Sequence, residues 1–233
     1  MVQSQKTVLF VLTSTKTMGA AGKPTGAWLE EFTVPYYAIR DAGLLADIAT
    51  TAGGAVPFDP RSTEEGSAEI PENRHFRSDP ELQAAIQTTP SVEQVRFGDY
   101  AAIFLPGGHG TMWDFPHSAA LGRGVSDIFA AGKPVAAVCH GPAGLVNATA
   151  PDSRPLVAGR WASAFTTEEE VALGLKQAVP FLLDERLASL GARVVKGRNF
   201  TTTAVVDGRL ITGQNPKSAR ATAALLIAAL RSE

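Results

Sequence analysis

A continuous apolar run near the start of the chain most restricts the folds open to it. Residues 7–12 read Thr-Val-Leu-Phe-Val-Leu, with no polar residue after the first. A strand with this pattern is buried on both faces, as in a parallel sheet that is covered by helices. Further candidate strands at 46–50, 100–105 and 134–138 alternate with stretches of helical spacing. This alternation predicts an α/β fold.

Helical spacing and turn signals predict the remaining elements. The predicted helices are 26–42, 80–88, 118–131, 181–190 and 216–230, the last with Asn215 as its N-cap and Pro216 as its first residue. A hairpin turn at Asp207 and Gly208 joins predicted strands at 202–206 and 210–212. Residues 53–79 are rich in Pro, Gly, Ser and charge, so we expect a surface excursion that partly covers a site.

Composition excludes several classes of protein. The 233 residues include 21 Lys and Arg against 23 Asp and Glu, a net charge of −2, and no basic run. Nucleic acid and anionic membranes need a positive field, so we expect neither as a partner. The apolar runs fall far short of the ~20 residues that span a bilayer, and one Cys forms no internal disulfide. We therefore expect a single domain over residues 1–233 in the cytoplasm.

The only cysteine, Cys139, stands where the predicted strand 134–138 runs into a Gly-rich turn. Small residues two positions before and after it, Ala137 and Gly141, match the pattern of a strained nucleophile elbow. A helix start after the elbow would favour the thiolate. Cys139 is therefore a candidate nucleophile with His140 as its partner. The alternatives are a buried inert cysteine and a structural histidine.

A second strand end runs into the Gly-Gly-His-Gly loop at 107–110. Backbone N–H groups of Gly107 and Gly108 are candidates for holding an oxyanion, because paired glycines let main chain approach a substrate. No Lys-Ser/Thr follows, so a phosphate cradle is excluded, whereas a plain tight turn stays open as the alternative. Three nearby rings are expected at the pocket mouth or in ordinary packing: His109, Trp113 and Phe115.

The predicted helix 26–42 carries a candidate acid. Helical spacing puts four residues on one stripe: Trp28, Phe32, Pro35 and Ile39. Glu31 borders this stripe and Glu30 lies opposite, while Pro35 should kink the helix. A carboxyl group beside apolar surface has a raised pKa, which suits a group that gives and takes protons. The alternative is a partly exposed boundary glutamate.

Three consecutive glutamates follow Phe165. Two overlapping capping boxes, Thr166 with Glu169 and Thr167 with Glu170, explain most of this acidic helix start. One of the carboxylates, Glu168, Glu169 or Glu170, is a candidate for orienting His140. The spacing leaves the choice among the three open.

Four segments together resemble the ThiJ/PfpI superfamily: the elbow around Cys139, the loop 107–111, the Thr25-Gly26 helix with Glu31, and Thr-Gly-Gln-Asn-Pro at 212–216. The similarity points to the glyoxalase III branch, which includes a fungal heat-shock chaperone. It implies a flavodoxin-like sandwich, with a central mainly parallel sheet and helices on both faces, that forms a homodimer. It also implies conversion of methylglyoxal to lactate without glutathione, metal or organic cofactor.

The resemblance implies a role for each matching residue. Cys139 matches the nucleophile, His140 its base, Glu31 the carboxyl group beside the thiol, and Glu170 the third member, with Glu169 as the alternative. Trp28 is expected in the substrate pocket with His109 and Trp113. Class I glutamine amidotransferases share the fold but take their catalytic His and Glu from a distant segment, so glutaminase activity is not expected.

These placements predict a mechanism. The Cys139 thiolate adds to the aldehyde carbon of a 2-oxoaldehyde, and Glu31 moves a proton between the two carbons through an enediol. Water then hydrolyses the thioester with His140 as base. One alternative is a hydrolase of small amides, thioesters or glycated thiols, that is, a deglycase, which does not need Glu31. Another is a stress chaperone with Cys139 as a redox sensor.

Overall fold

The strands and helices alternate along the chain in a computed structural model that describes residues 5–232. The strands are β1 (Thr7–Leu12), β2 (Thr17–Met18), β3 (Lys23–Pro24), β4 (Leu45–Thr50), β5 (Ala102–Leu105), β6 (Val135–Val138), β7 (Trp161–Ala162), β8 (Arg193–Val194), β9 (Ala204–Asp207) and β10 (Leu210–Gly213). The α-helices are α1 (Leu29–Asp41), α2 (Pro71–Arg77), α3 (Pro80–Ala85), α4 (Thr111–Asp114), α5 (Ala119–Ala130), α6 (Thr167–Ala172), α7 (Leu183–Ser189) and α8 (Ala219–Arg231).

Short 3-10 helices connect many of these elements. They are Gly19–Ala21, Pro60–Ser62, Glu65–Glu69, Val92–Gln94, Phe97–Asp99, Phe115–His117, Gly141–Leu145 and Pro216–Ser218. Two of them, Gly141–Leu145 and Pro216–Ser218, lie where the sequence predicts the start of an α-helix. The last predicted helix opens as the 3-10 turn Pro216–Ser218 before α8, with the Asn215 side chain capping it as expected.

Six strands form the central sheet in the order β4-β1-β5-β6-β10-β9. All neighbours pair in parallel except β9 and β10, the predicted hairpin, which are antiparallel. Phe10 of β1 lies between Ile48 of β4 and Phe104 of β5, which sets the register. Two short pairs stand apart from this sheet, β2 with β3 and β7 with β8.

Side chains of β1 alternate between two apolar cores, one on each face of the sheet. Leu9 and Val11 pack in one core, and Val8, Phe10 and Leu12 pack in the other. Helices α5 and α7 cover the first face, whereas α1, α2, α3 and α8 cover the second. Because both faces are buried, the strand needs the unbroken apolar run seen in the sequence. The predicted α/β sandwich is confirmed.

Most predicted elements are confirmed with shifted ends. Helix α1 starts at Leu29 rather than at residue 26, because Trp28 is extended (φ −87°, ψ 119°). It then runs through Pro35 as one helix to Asp41. The excursion 53–79 is more ordered than expected, since it contains α2 and buries Phe76 in the second core.

Candidate active site

A small cavity opens beyond the carboxyl ends of β5 and β6, where parallel sheets commonly bind ligands. Its volume is about 170 Å³, and it is lined by Trp28, Gly108, His109, Cys139, His140, Phe165, Leu173, Phe200 and Pro216. This is below the roughly 300–1,000 Å³ of pockets that take drug-sized ligands. A larger groove of about 550 Å³ lies beside Glu30 and Lys217 and is not lined by the only cysteine of the chain. The small cavity is therefore the candidate active site.

Cys139 has the backbone strain expected of a nucleophile elbow. Its φ is 59°, in the left-handed region, which costs a residue with a side chain about 1–3 kcal/mol. A Cβ on Gly141 would lie 2.0 Å from the backbone oxygen of Leu105, so only glycine fits there. The predicted elbow is confirmed, although a 3-10 helix and not an α-helix follows it.

Three side chains form a continuous hydrogen-bonded line behind the cavity. The Cys139 Sγ lies 3.3 Å from Nδ1 of His140, and His140 Nε2 lies 2.7 Å from Oε1 of Glu170. The His140 ring is 1% exposed and the Glu170 side chain 4%. Burial works to raise the pKa of Glu170, but hydrogen bonds from His109 and His140 outweigh it and hold that pKa well below its usual value. Glu170 is therefore a carboxylate that fixes the ring of His140.

Glu31 reaches the same cysteine from α1. It is fully buried, and its Oε2 accepts a 2.8 Å hydrogen bond from the backbone N–H of Gly107. Its Oε1 is buried with no hydrogen-bond partner among residues 5–232. Burial raises the pKa of Glu31 well above its usual value, although hydrogen bonds with Cys139 and Gly107 oppose this. The sequence placed Glu31 at the border of the buried face, whereas the fold buries it entirely.

The thiol itself differs from expectation. Burial raises the pKa of Cys139 well above its usual value, and the negative charge of Glu31 raises it further. Only the backbone N–H of His140 acts in the direction expected from a helix start. The predicted thiolate is therefore not the resting form while Glu31 is ionised. A protonated Glu31 carries no charge and so removes that repulsion.

The loop 107–110 has only one of the two predicted backbone N–H groups available for an oxyanion. The N–H of Gly107 is taken by Glu31, so it is not available to an oxyanion. The N–H of Gly108 donates to no group in the described part of the chain. Gly108 has φ +100°, and a Cβ there would lie 2.3 Å from the backbone oxygen of Gly26, so this position requires glycine.

The three consecutive glutamates have separate roles. Glu170 faces His140, whereas Glu168 forms an ion pair with Lys196 at the surface. The capping box of Thr166 and Glu169 is confirmed. The second predicted box is wrong, because Thr167 donates its side-chain hydrogen bond to Asp184 and leaves Glu170 to the histidines.

Glu169 is buried and holds the rim of the cavity. Its carboxylate accepts hydrogen bonds from the backbone N–H of Phe200 (2.7 Å) and from the side chains of Gln214 (3.1 Å) and Asn215 (2.8 Å). In the sequence analysis Glu169 was the alternative partner of His140. In the structure the Glu169 carboxylate binds the groups named above, and Glu170 contacts His140 instead.

The predicted aromatic lining is partly correct. Trp28 and His109 line the cavity, but Trp113 packs partly buried against the first core and does not. Phe115 is also buried in that core. The structure instead brings in three apolar side chains that sequence reasoning missed: Phe165, Leu173 and Phe200. They carry no local motif, since residues scattered along 165–200 meet only in the folded chain.

Ligand atoms of His109, His140 and Glu170 lie within 4.8 Å of one another. The two contacts to the carboxylate measure 2.7 Å and 3.2 Å. Around a tetrahedral cation with ligands at about 2.1 Å, ligand atoms are roughly 3.4 Å apart. These contacts have hydrogen-bond lengths. The hydrogen-bonded line of Cys139, His140 and Glu170 is called the relay below.

The model of the DJ-1/PfpI family matches residues 25–229. The chain belongs to the DJ-1/PfpI family. The resemblance found in the sequence is therefore confirmed, and the matched range includes Glu31, the glycine loop 107–110, Cys139, His140 and Glu170.

Relatives within this DJ-1/PfpI family support the same branch. The glutathione-independent glyoxalase hsp3101 of Schizosaccharomyces pombe is 31% identical over 214 residues, which cover 87% of this chain and 86% of the relative. The crystal structure of glyoxalase III from Candida albicans superimposes with a TM-score of 0.87 at 28% identity, over 96% of this chain and 97% of that one. The Francisella tularensis Rapid Encystment Protein 24 KDa superimposes with a TM-score of 0.93 at 36% identity, over 97% and 99%.

Within residues 5–232, every helix is too short or too polar to cross a bilayer.

Proposed function

We propose that this DJ-1/PfpI protein is a glutathione-independent glyoxalase of the glyoxalase III type. It converts methylglyoxal and related 2-oxoaldehydes to 2-hydroxy acids. The observation that carries the proposal is the fully buried carboxyl group of Glu31, which hydrogen-bonds the thiol of Cys139 and has a raised pKa. Simple acyl hydrolysis by a thiol needs no such group, whereas a proton shift between two carbons does. The names of the relatives support the same reaction.

Addition is the first step. The Cys139 proton passes to Nδ1 of His140 while Sγ bonds to the aldehyde carbon, and Glu170 stabilises the imidazolium that forms. The backbone N–H groups of Gly108 and His140 hold the oxygen of the hemithioacetal. This corrects the predicted pair, because Gly107 donates to Glu31.

Isomerisation follows at the Glu31 carboxylate. It removes the hydrogen of the thiol-bearing carbon while the imidazolium of His140 protonates the oxygen of the neighbouring carbon, which gives an enediol and leaves His140 neutral. Glu31 then returns its proton to the neighbouring carbon, and the oxygen of the thiol-bearing carbon becomes the thioester carbonyl. The product is a thioester of a 2-hydroxy acid, and no proton is gained or lost overall. A carboxyl group with a raised pKa suits this step, because it is basic enough to take the proton and acidic enough to return it.

Hydrolysis completes the cycle. Water attacks the thioester with His140 as general base, and the 2-hydroxy acid leaves as the Cys139 thiol is restored. The sum is one 2-oxoaldehyde plus one water giving one 2-hydroxy acid. The apolar rim of Trp28, Phe165 and Phe200 suits the methyl or other uncharged end of such a substrate.

The decisive experiment is incubation with methylglyoxal in the absence of glutathione, with loss of dicarbonyl and gain of D- and L-lactate followed together. We expect lactate from the wild type and none above background from Cys139→Ala or Glu31→Gln. Alkylation of the thiol by iodoacetamide should persist in Glu31→Gln, which shows that the thiol is still reactive, and a far-UV circular dichroism spectrum equal to that of the wild type shows that the variant is folded. Lactate from Glu31→Gln would remove Glu31 from the mechanism, and loss of dicarbonyl without lactate would reduce Cys139 to an aldehyde trap.

The same variants separate the alternatives. A hydrolase or deglycase requires Cys139 and His140 and keeps its activity in Glu31→Gln. A chaperone would still suppress aggregation of a client protein as Cys139→Ala, whereas the glyoxalase loses all turnover.

We further propose that the protein acts in the cytoplasm as a homodimer without nucleic acid or membrane partners. A free, functional thiol favours a reducing compartment, and the net charge of −2 provides no field for polyanions. Light scattering after size exclusion measures the oligomer, and a monomer at all concentrations would contradict the dimer. Fractionation of the source cells checks the compartment.

A further inference from the structure

A second histidine contacts the carboxylate of the relay. Glu170 binds His140 through Oε1, and its other oxygen, Oε2, lies 3.2 Å from Nε2 of His109. The two histidine rings are 4.1 Å apart, so one carboxylate holds both. His109 itself is 3% exposed. The proposed reaction uses Glu170 and His140 and leaves this second contact without a role.

Arg61 lies on the far side of His109. Its Nη2 is 3.2 Å from Nδ1 of His109. The same guanidinium binds both oxygens of Asp59, at 2.9 Å and 2.8 Å, and Asp59 is fully buried. Thr25 donates a further 3.0 Å hydrogen bond to Asp59. Arg61 is therefore held by a buried carboxylate in the position from which it reaches His109.

These contacts determine the tautomer of His109. An arginine side chain has only N–H donors, so Nδ1 of His109 must accept and carries no proton. In the neutral ring the proton is then on Nε2, which donates to Glu170. Burial lowers the pKa of His109 to about 4, and repulsion from His140 and Arg61 acts in the same direction. Both ring nitrogens are thus occupied, and neither remains for a substrate.

We propose that Arg61 and His109 are positioning residues that hold Glu170 on His140. His109 supplies the second N–H donor to the carboxylate, and Arg61 maintains the tautomer in which His109 can donate. With one donor on each oxygen, Glu170 keeps its charge and its orientation when His140 becomes an imidazolium. The role in turnover rests on the proposed glyoxalase function, but the tautomer and the reactivity of Cys139 do not.

The charged and titratable groups around His109 are few, which makes the assignment testable. Glu170 and His140 face it from the relay, and Arg61 faces it from the 3-10 helix Pro60–Ser62, with Asp59 behind. Among residues 5–232, the only other ring in contact with His109 is Phe165, at 5.9 Å between centroids, and it does not titrate. A proton that appears on Nδ1 of His109 therefore reports the loss of Arg61, because loss of Glu170 would instead lower the pKa of His109 further.

The first test is ¹⁵N NMR of protein labelled at its 4 histidines, with the His109 signals assigned from a His109→Gln sample. We expect an unprotonated Nδ1 and a protonated Nε2 in the wild type from pH 8 down to about pH 5. In Arg61→Met, Nδ1 should take up a proton at a higher pH than in the wild type. A proton on Nδ1 of the wild type, or identical titrations in both proteins, would overturn the role of Arg61.

Arg61→Met leaves the buried Asp59 without its ion-pair partner, so a second pair of variants acts at His109 alone. His109→Leu removes the donor to Glu170, whereas His109→Gln retains a side-chain N–H near the same place. We expect kcat to fall about tenfold in His109→Leu with KM within twofold, and partial recovery in His109→Gln. Arg77→Gln is the control, because Arg77 belongs to the same excursion but binds only Thr63 and Ser67.

Alkylation of Cys139 by iodoacetamide as a function of pH gives a readout that is independent of the reaction. The pH at which the alkylation rate begins to rise should be higher in His109→Leu than in the wild type. In His109→Gln this pH should return toward the wild-type value. Equal profiles for the wild type and both variants would overturn the positioning role. If the profiles change but none of the proteins forms lactate, the positioning role stands and the proposed function fails.

Discussion

At the scale of single residues, Glu31 combines a chemical role with a stability cost. In the unfolded chain a glutamate ionises near pH 4.5, whereas burial keeps Glu31 protonated to a higher pH in the folded protein. Between these two pKa values the folded state binds more protons than the unfolded state. The free energy of unfolding therefore falls as the pH rises through this window.

Glu31→Gln should remove this loss, because an amide does not ionise. We expect the variant to match the wild type at pH 4.5 and to exceed it by about 1 kcal/mol or more at pH 8. Urea unfolding at both pH values measures the difference. Glu93→Gln is the control, since the Glu93 side chain is 69% exposed and should change stability by no more than about 0.5 kcal/mol at either pH. A gain that does not grow with pH would contradict a raised pKa.

Substitution of Gly108 tests whether the close approach of the Gly26 backbone requires glycine at this position. Gly108 and Gly132 both have positive φ, at +100° and +74°, but a Cβ meets backbone only at Gly108. Gly132→Ala should therefore cost about 1 kcal/mol, and Gly108→Ala roughly 3 kcal/mol or more. Thermal unfolding of the two variants compares them. Similar losses would show that conformation alone, and not contact with Gly26, requires glycine in the loop.

At the scale of elements, one carboxylate joins the start of α6 to two loops at the cavity. Glu169 accepts hydrogen bonds from Thr166, Phe200, Gln214 and Asn215. Phe200 has a strained φ of 54° and lines the cavity, so Glu169 supports part of the predicted substrate pocket. Glu169 therefore supports the structure, whereas Glu168 and Glu170, the same residue type at adjacent positions of α6, point elsewhere.

Glu169→Ala should lower the free energy of unfolding by on the order of 3–5 kcal/mol, because several buried donors lose their acceptor. We also expect a higher KM for methylglyoxal, since Phe200 is no longer held in place. The matched change Glu168→Gln removes only a surface ion pair with Lys196 and should cost less than about 1 kcal/mol. Chemical denaturation of both variants measures the two losses in the free energy of unfolding. Equal losses would contradict the role of Glu169.

At the scale of the whole molecule, the active site draws on nearly the full length of the chain. Trp28 and Pro216 line the same cavity, and the central sheet places β10 two strands from β5. A site built in this way is lost if either half of the chain unfolds. We therefore keep the prediction that residues 1–233 form a single domain.

A single domain should unfold in one cooperative transition. We expect far-UV circular dichroism, tryptophan fluorescence and Cys139 alkylation to give the same urea midpoint. The 3 tryptophans and the only cysteine report on different parts of the fold. Separate midpoints would divide the chain into independently folding units.

Several features of this protein were determined by the sequence alone. The buried strands 7–12 and 134–138 need continuous apolar runs, and the hairpin between β9 and β10 needs a residue that tolerates positive φ at Gly208. The turn itself is Gly208-Arg209, one residue later than predicted, because Asp207 ends β9 and pairs with Leu210. The elbow needs small residues around Cys139. These are local requirements, so they can be recognised without knowing what lies across the fold. For the same reason the family resemblance was visible in short motifs.

Only the tertiary structure decided which groups meet. Residues 31, 107 and 139 are distant in sequence, so their contact, the loss of the Gly107 amide and the raised pKa of Cys139 could not be predicted from local patterns. The three adjacent glutamates showed the same limit, since their helix directs Glu170 to His140 and Glu169 to the opposite loops. Arg61 carried no motif at all. Burial and hydrogen bonding across long sequence distances depend on packing, and packing is a property of the folded chain.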